Sequence, residues 1–197
     1  MTQALPDSAL DQLFRTARSF NGYQDKPVST AQLQAIWDVM KFGPTSANCL
    51  PARMIWCKSD AAKAKLAACA GGTNPEKILA APVTVIIGMD GEFYEQLPDL
   101  FPHADARSWF AGNAPVIEAT AFRNSSLQGA YLILAARALG LDTGPMSGFD
   151  ADAVNAAFFA DTPAVKVNFI ATLGYGDTAT IFDRSPRPDF ARFNSIA

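Results

Sequence analysis

The 197-residue sequence has few of the residues from which metal sites and covalent catalytic sites are built. It contains one histidine, His103, and three widely spaced cysteines, Cys49, Cys57 and Cys69, with no C-x-x-C pair. A histidine-based metal cluster, a Ser-His-Asp triad, a zinc site and a disulfide framework are therefore not expected. If the protein is an enzyme, we expect a cofactor to carry the reaction.

Signatures of nucleotide and nucleic-acid binding are missing as well. No G-x-G-x-x-G follows a predicted strand and no G-x-x-x-x-G-K-[ST] occurs, so neither a Rossmann site nor a P-loop is supported. The net charge of -3, the pI near 5.1 and the lack of a Lys/Arg run argue against nucleic acid as a partner.

No segment is predicted to associate with a membrane. The longest apolar run, residues 80–89, is interrupted by Pro82 and Thr84 and is far too short to span a bilayer. The N-terminal residues lack the basic and apolar regions of a signal peptide. With 49% hydrophobic and 18% charged residues the chain can bury a full core. We therefore expect one soluble, cytoplasmic domain over residues 1–197.

The central feature of the sequence is the segment 124–150. It predicts a helix, starting near Pro115, that is apolar on almost every side and so belongs in the middle of a domain. Gly140 is the expected residue after the helix end, and Asp150 the expected N-cap of the next helix. The inward stripe is predicted to comprise Leu127, Ala130, Tyr131, Leu134, Ala135, Ala138 and Leu139, extended round the back by Leu132, Ile133 and Ala136.

A loop is predicted at residues 144–148, between these two helices. Its glycines would let bare backbone approach a flat ligand such as a cofactor ring. An ordinary helix-loop-helix corner is the alternative. Elsewhere, Ser29 and Gln32 form a capping box, and Pro75 fits the first turn of a short helix. Buried strands are predicted at residues 54–57, 83–88 and 165–173, the last with one buried face.

Residues 90–112 mix aromatic side chains with charges, prolines and His103. A long excursion of this kind between a strand and the central helix is typical of a lid or a partner-binding flap. A packed surface loop is the alternative. We call this segment the aromatic excursion.

Several polar motifs together resemble those of the nitroreductase family of FMN-dependent oxidoreductases, over nearly the whole chain. They comprise Arg18-Ser19 with residues 25–28, the segment 43–48 (GPTSAN), Asn124, the run 138–150 (ALGLDTGPMSGFD), Gly174-Tyr175-Gly176 and Arg187. The chain is most similar to the branch that contains the malonic semialdehyde reductase of pyrimidine breakdown. That similarity lies in FYEQLP at 93–98, LFPH at 100–103, DARSWF at 105–110 and TAFRNSS at 120–126.

The resemblance implies an α+β fold with a central, mostly antiparallel sheet, flanked by helices around a long buried central helix. It also implies a homodimer with two FMN sites, each built from both subunits. A dimer interface would give so apolar a helix additional burial.

The resemblance places the FMN phosphate against residues 17–21 and Arg187. Relatives usually carry basic residues where this chain has Ala17 and Asn21, so Arg187, helped by Arg184 or Arg15, has more charge to neutralise. Asn48 is matched to the pyrimidine side of the flavin, and the backbone N–H groups of Ser147 and Gly148 to flavin N5 and O4. The implied cofactor-binding residues are Arg18, Ser19, Asn21, Pro44, Ser46, Asn48, Asn124, Pro145, Met146, Ser147, Gly148 and Arg187. Leu50 and Ala52 stand where relatives often carry Gln and Trp, which predicts a pocket of different shape.

The activity implied is that of an FMN-dependent oxidoreductase that uses NADH or NADPH to reduce a small carbonyl compound. The preferred substrate by resemblance is malonic semialdehyde, reduced to 3-hydroxypropanoate by a ping-pong route. A broad nitro- or quinone-reductase and a non-catalytic flavin-binding protein are the alternatives. Because the flavin carries the hydride, no catalytic side chain is required. On the substrate side, Arg107 is the candidate for the carboxylate and His103 for a proton donor; a surface ion pair of Arg107 with Asp99 or Asp105 is the alternative.

Overall fold

The structure, a computed structural model, describes residues 3–197. It contains one four-stranded antiparallel sheet with the strand order β1-β2-β4-β3. The strands are β1 (Ala52–Cys57), β2 (Val83–Asp90), β3 (Asp142–Met146) and β4 (Val165–Gly174). The α-helices are α1 (Asp7–Leu10), α2 (Thr30–Met40), α3 (Asp60–Ala67), α4 (Asn74–Ala80), α5 (Leu97–Leu100), α6 (Ala114–Ala138), α7 (Ala151–Phe158) and α8 (Phe190–Phe193). The predicted α+β fold is confirmed.

Helices cover both faces of the sheet. On one face α2 and α6 pack against the sheet through residues such as Ile36 and Leu132, and on the other α3, α4 and α7 pack through residues such as Leu66. β4 therefore alternates between buried and exposed residues only near Val165, and its last five residues are all buried. The prediction that only one face of this strand is buried was therefore wrong for residues 170–174.

Local sequence signals placed several element ends. The capping box of α2 is present, with Ser29 accepting from Gln32 N at 3.2 Å. Asp150 caps α7, and Gly140 follows α6 with a φ of 77°, in the left-handed region that glycine favours. Pro75 lies in the first turn of α4. These predictions are confirmed.

α6 buries only part of the predicted face, since Leu132, Ala135 and Ala136 are buried as expected. Four of its nine buried residues are polar, and Leu127 and Leu139 of the predicted stripe are exposed, by 39% and 41%. The buried positions are Thr120, Ala121, Asn124, Ser125, Gln128, Gly129, Leu132, Ala135 and Ala136. Exposed apolar residues instead line the outer face. Apolar periodicity could not choose a face on a helix that is apolar almost all round.

The region predicted as the loop 144–148 begins as a strand. β3 continues to Met146 and pairs with β4 at the edge of the sheet. Pro145 is accommodated because an edge strand does not need every backbone donor. Gly144 lies against protein, since an added Cβ would stand 2.3 Å from the carbonyl oxygen of Phe20. This glycine is therefore required for close packing within the chain, and its predicted role toward a ligand stays a prediction.

The aromatic excursion is packed. Phe93, Leu97, Ala106 and Phe110 are buried together with Cys49 in a separate apolar cluster. The packed-loop interpretation of residues 90–112 is therefore confirmed for these side chains. Trp109 remains 53% exposed. No helix in the described part of the chain has the length and apolar character needed to cross a membrane.

Candidate cofactor site

Four arginines surround one cavity of about 510 Å³ near the end of α6, which we call the arginine cavity. Asp183 is the single carboxylate residue in its lining. The lining comprises Phe14, Ala17, Arg18, Ser19, Arg137, Phe182, Asp183, Arg184, Ser185 and Arg187. A concentration of guanidinium groups of this kind suits an anion such as phosphate.

Backbone carbonyl groups hold these arginines in place. The hydrogen bonds run from Arg18 to Phe182 O, from Arg137 Nη1 to Leu13 O (2.8 Å), from Arg184 Nη2 to Ala17 O (2.8 Å) and from Arg187 Nη1 to Ser185 O (3.0 Å). Within residues 3–197, none of the four has a carboxylate oxygen within 4 Å. The cavity therefore holds positive charge that the described chain does not neutralise by direct ion pairing.

The sequence had indicated Arg18, Arg184 and Arg187 but not Arg137. One signal was available, because Arg137 is the only charged residue between Asn124 and Leu139. Arg15, the other suggested helper, is outside the lining and pairs with Asp7 at 2.7 Å. Asn21 is outside it too, donating to the carbonyl oxygen of Thr180 at 3.0 Å.

A second polar element is the loop at residues 44–50, whose backbone is unusual. Ala47, Asn48 and Leu50 have φ angles of 48°, 52° and 38°. These left-handed values cost roughly 1–2 kcal/mol for each non-glycine residue, and such strain often accompanies functional sites. Asn48 is exposed and donates from Nδ2 to the carbonyl oxygen of Leu100 at 2.8 Å.

Two residues of α6 anchor this loop. Asn124 Oδ1 accepts from Ser46 N at 2.9 Å, and the Tyr131 hydroxyl donates to Pro44 O at 2.9 Å. Asn124 is buried, and its Nδ2 donates a hydrogen bond to Thr120 O at 2.8 Å. The structure thus gives Asn124 a positioning role in the loop, and the direct cofactor contact suggested by the resemblance stays a prediction.

Cys49, which follows this loop's helical turn, is not poised as a nucleophile. It is fully buried, and burial raises the pKa of its thiol to about 11. Burial raises the pKa of Cys57 to about 11 as well. The thiolate is the reactive form of cysteine, so both side chains are inert near neutral pH. No cluster of potential metal ligands occurs in the described residues.

A third polar element follows β3. Ser147 and Gly148 are exposed, and their backbone N–H groups donate no hydrogen bond within residues 3–197. The carbonyl oxygen of Gly148 is anchored by Gly71 N and Asn74 Nδ2, both at 3.0 Å. The segment is therefore fixed while two adjacent donors stay open, an arrangement that can hold a ligand atom carrying negative charge. Pro145 and Met146 precede it at the end of β3.

β3 connects the donor pair to the arginine cavity. Ser19 of the cavity forms a bridge with Thr143, and Phe20 N donates to Thr143 O at 3.1 Å. From Thr143 to Ser147, just beyond the end of β3, the extended chain advances about 14 Å, at roughly 3.4 Å per residue. A ligand with an anionic group at one end and a hydrogen-bonding ring at the other could lie along this strand.

The Asn48 loop is attached further away on α6. Its anchor Asn124 and the cavity residue Arg137 are separated by roughly 20 Å, at about 1.5 Å of rise per residue. The structure therefore brings together Arg18, Ser19 and Arg187, connects them through β3 to Ser147 and Gly148, and leaves Asn48 on a separate part of the protomer.

Arg107 is engaged in a surface ion pair. Its Nε and Nη2 donate to Glu95 Oε2 and Oε1, each at 2.7 Å. The alternative of a surface ion pair is therefore correct in kind, but its carboxylate is Glu95, and the prediction of Asp99 or Asp105 as the partner was wrong. The hydrogen bond from Arg107 lowers the pKa of the Glu95 carboxyl. His103 is exposed and packs edge-on against Phe101, with ring centroids 5.4 Å apart.

Solved structures share this architecture. A provisionally named nitroreductase, ydfN from Bacillus subtilis, superimposes with a TM-score of 0.88 at 22% identity, covering 98% of this chain and 100% of that chain. A second, from Exiguobacterium sibiricum and solved in complex with FMN, gives a TM-score of 0.85 at 20% identity and covers 100% of both chains. The fold is nitroreductase-like.

Sequence comparison identifies the family. Residues 14–175 match the Nitroreductase family. A Burkholderia lata protein with the provisional name NADH dehydrogenase/NAD(P)H nitroreductase is 66% identical over 186 residues, covering 94% of this chain and 95% of that protein. The chain belongs to the nitroreductase family.

Proposed function

We propose that this protein is an FMN-dependent NAD(P)H oxidoreductase. The observation that carries the proposal is the arginine cavity, linked by β3 to the open N–H groups of Ser147 and Gly148. Four guanidinium groups match a phosphate group of about −1.5 to −2 charges. The FMN bound to the Exiguobacterium relative and the NAD(P)H in the name of the Burkholderia relative support the same assignment.

Different residues of the chain would bind different parts of the cofactor. Arg18, Ser19 and Arg187 would bind the phosphate, and the N–H groups of Ser147 and Gly148 would orient the ring and stabilise negative charge on it. Bound FMN would supply the redox chemistry, accepting a hydride from NADH or NADPH and passing it to a substrate.

A homodimer would complete the site. The outer face of α6 exposes Val116, Phe122 and Leu127 by 39%, 55% and 39%, and contact with a second copy would remove this apolar area from water. Because Asn48 is attached about 20 Å along α6 from the cavity, we propose that the loop of one protomer contributes to the flavin site of the other.

Cofactor content and reduction test this proposal together. The protein would be purified without added cofactor, its absorption spectrum recorded, and the flavin titrated anaerobically with NADH and with NADPH. We expect FMN uptake at micromolar concentration and rapid bleaching by at least one nicotinamide. Absence of FMN uptake, or preference for FAD, contradicts the cofactor assignment. Bound flavin that neither nicotinamide reduces would favour the non-catalytic flavin-binding protein.

Arg187→Ala is expected to weaken FMN binding about tenfold. A charge-assisted hydrogen bond to phosphate contributes roughly 1.5–3 kcal/mol, and the lower end applies because three other arginines remain. Fluorescence titration with FMN measures the effect, and Arg192→Ala, an arginine outside the cavity lining, is the control. Unchanged affinity in Arg187→Ala would point to Arg18 or Arg184 as the main phosphate ligand.

For the substrate, we propose malonic semialdehyde, with a broad nitro- or quinone-reductase as the second candidate. The substrate carboxylate needs a cation if it is to be buried beside a flavin. Arg107 is the candidate within the aromatic excursion, with exposed Trp109 as an apolar wall and His103 as a proton donor. Nη1 of Arg107 takes no part in its two hydrogen bonds to Glu95.

Two variants test Arg107 in opposite directions. Arg107→Gln is expected to lower kcat/KM for malonic semialdehyde about tenfold, the loss of one charge-assisted contact, with little change for a neutral quinone. Glu95→Gln removes the competing carboxylate and is expected to lower KM for the semialdehyde. Equal effects of Arg107→Gln on both substrates, or on neither, would remove Arg107 from the site. Steady-state kinetics provide both measurements.

A further inference from the structure

We infer that Arg137 is a phosphate-binding residue, and that it makes the site selective for phosphorylated flavin over riboflavin. The inference rests on the proposed function, since it assigns FMN to the arginine cavity. Arg137 lines that cavity from the last turn of α6, whereas Arg18, Arg184 and Arg187 come from segments near the two chain termini.

The donor inventory of Arg137 supports this role. A guanidinium group carries five N–H donors in a planar fork. Only Nη1 is used within residues 3–197, in the hydrogen bond to Leu13 O. Nε is buried and has no partner. A buried donor without a partner requires an explanation in a folded protein, and an anion in the adjoining cavity, with small adjustments of the side chain, would provide acceptors.

The electrostatics at the C-terminal end of α6 also support a phosphate-binding role for Arg137. The C-terminal end of α6 presents the negative end of the helix dipole, which disfavours a nearby anion unless a cation intervenes. Arg137 occupies that position. Burial lowers the pKa of Arg137, Asp142 acts in the opposite direction, and Arg184 lowers it further. Asp142 also accepts from Gly176 N at 3.0 Å. An anion placed between Arg137 and Arg184 would relieve the mutual repulsion of the two guanidinium groups.

A purely structural role is the competing explanation. Arg137 joins the N-terminal segment to α6 at two points, through Nη1 to Leu13 O and through its own carbonyl oxygen, which accepts from Gln12 Nε2 at 2.7 Å. Loss of this anchor could loosen Phe14 and Ala17, which line the cavity. The test must therefore separate phosphate recognition from general damage to the site.

The two flavins provide that separation, because riboflavin lacks the phosphate. Dissociation constants for FMN and riboflavin would be measured by fluorescence titration of the apoprotein for the wild type, Arg137→Gln and Arg137→Lys, with Arg192→Gln as the control. We expect Arg137→Gln to weaken FMN binding about tenfold and riboflavin binding less than about twofold. Arg137→Lys should recover part of the FMN affinity. Unchanged FMN affinity in Arg137→Gln, or equal losses for both flavins, overturns the inference.

Inorganic phosphate gives a readout that is independent of flavin. We expect phosphate to raise the thermal unfolding midpoint of the wild-type apoprotein and to have a smaller effect on Arg137→Gln. If the wild type binds no FMN while phosphate still discriminates between these two proteins, the FMN proposal fails and the anion-binding role of Arg137 remains. If the wild type binds FMN and phosphate stabilises both proteins equally, the inference about Arg137 fails and the FMN proposal remains.

Discussion

Gly144→Ala is expected to lower the free energy of unfolding by about 3 kcal/mol, the upper range for overpacking a close-packed core. The added Cβ would lie 2.3 Å from Phe20 O and 2.6 Å from Thr172 Oγ1. Neither neighbour can move easily. Phe20 pairs through its backbone with Thr143, and Thr172 is buried and bonded to the Tyr23 hydroxyl at 2.7 Å.

For a chain of this size, a loss of about 3 kcal/mol corresponds to a fall of roughly 6–12 °C in the unfolding midpoint. Calorimetry at one fixed protein concentration measures it, because dimerisation would make the midpoint concentration-dependent. Gly71→Ala is the matched control, since no atom lies within 4 Å of its added Cβ. A fall in Gly144→Ala no larger than in Gly71→Ala would show that β3 can shift away from the segment containing Phe20.

Asn124→Leu is expected to weaken FMN binding roughly thirtyfold while leaving the overall fold intact. The substitution keeps the side-chain shape but removes the acceptor for Ser46 N, and an unsatisfied donor costs about 2 kcal/mol. The loop it anchors contains Ala47, Asn48 and Leu50 in left-handed conformations, so it is strained and depends on its anchors. A binding-competent loop destabilised by about 2 kcal/mol reduces apparent affinity by roughly thirtyfold.

The control removes a different amide, one that contacts the inward side of α6 from β4. Asn168 donates to the hydroxyl groups of Ser125 and Ser126 on α6, at 2.8 and 2.9 Å, and its side chain makes no hydrogen bond to the loop within residues 3–197. Asn168→Leu should reduce stability but preserve FMN affinity. Comparable FMN affinity in both variants and the wild type would show that the loop at Asn48 keeps its conformation without Asn124, or that it does not contact the flavin.

Local patterns identified most elements because they depend on residues close together in sequence. The capping box of Ser29 and Gln32, the cap at Asp150 and the glycine after α6 each involve interactions within a few residues. The motif at Arg18-Ser19 and the run ending at Asp150 likewise indicated the family before any contact was known. These are the parts of the fold that the sequence predicts well.

The polar part of the inward face of α6 depends on distant partners and was missed. Asn124 and Gln128 face the core because their amide oxygens accept from Ser46 N and Ala52 N, and Ser125 because it bonds Asn168. Each partner is about forty to eighty residues away, beyond the reach of periodicity. Burying polar groups is acceptable when they are hydrogen-bonded, as the amide oxygens of Asn124 and Gln128 are. Apolar residues such as Phe122 and Leu127 are left on the outer face.

The candidate site was predicted only in part, because some of its residues also come together through contacts between distant parts of the sequence. Motifs indicated Arg18, Ser147 and Gly148, but Arg137 joins the cavity only because α6 ends beside the N-terminal segment. Similarly, the choice of Glu95 as the partner of Arg107, over the nearer Asp105, is set by how the aromatic excursion folds. Sequence proximity favoured the wrong carboxylates because the excursion turns back on itself.

α6 therefore acts as a rigid spacer with two fixed points, Asn124 near its middle and Arg137 near its end. Deleting one residue between them would shorten the spacing by only about 1.5 Å but would rotate one point by about 100° relative to the other. The loop at Asn48 and the arginine cavity could then no longer both meet their anchors on the helix. Within this stretch, side chains can vary on the outer face, whereas the number of residues cannot change.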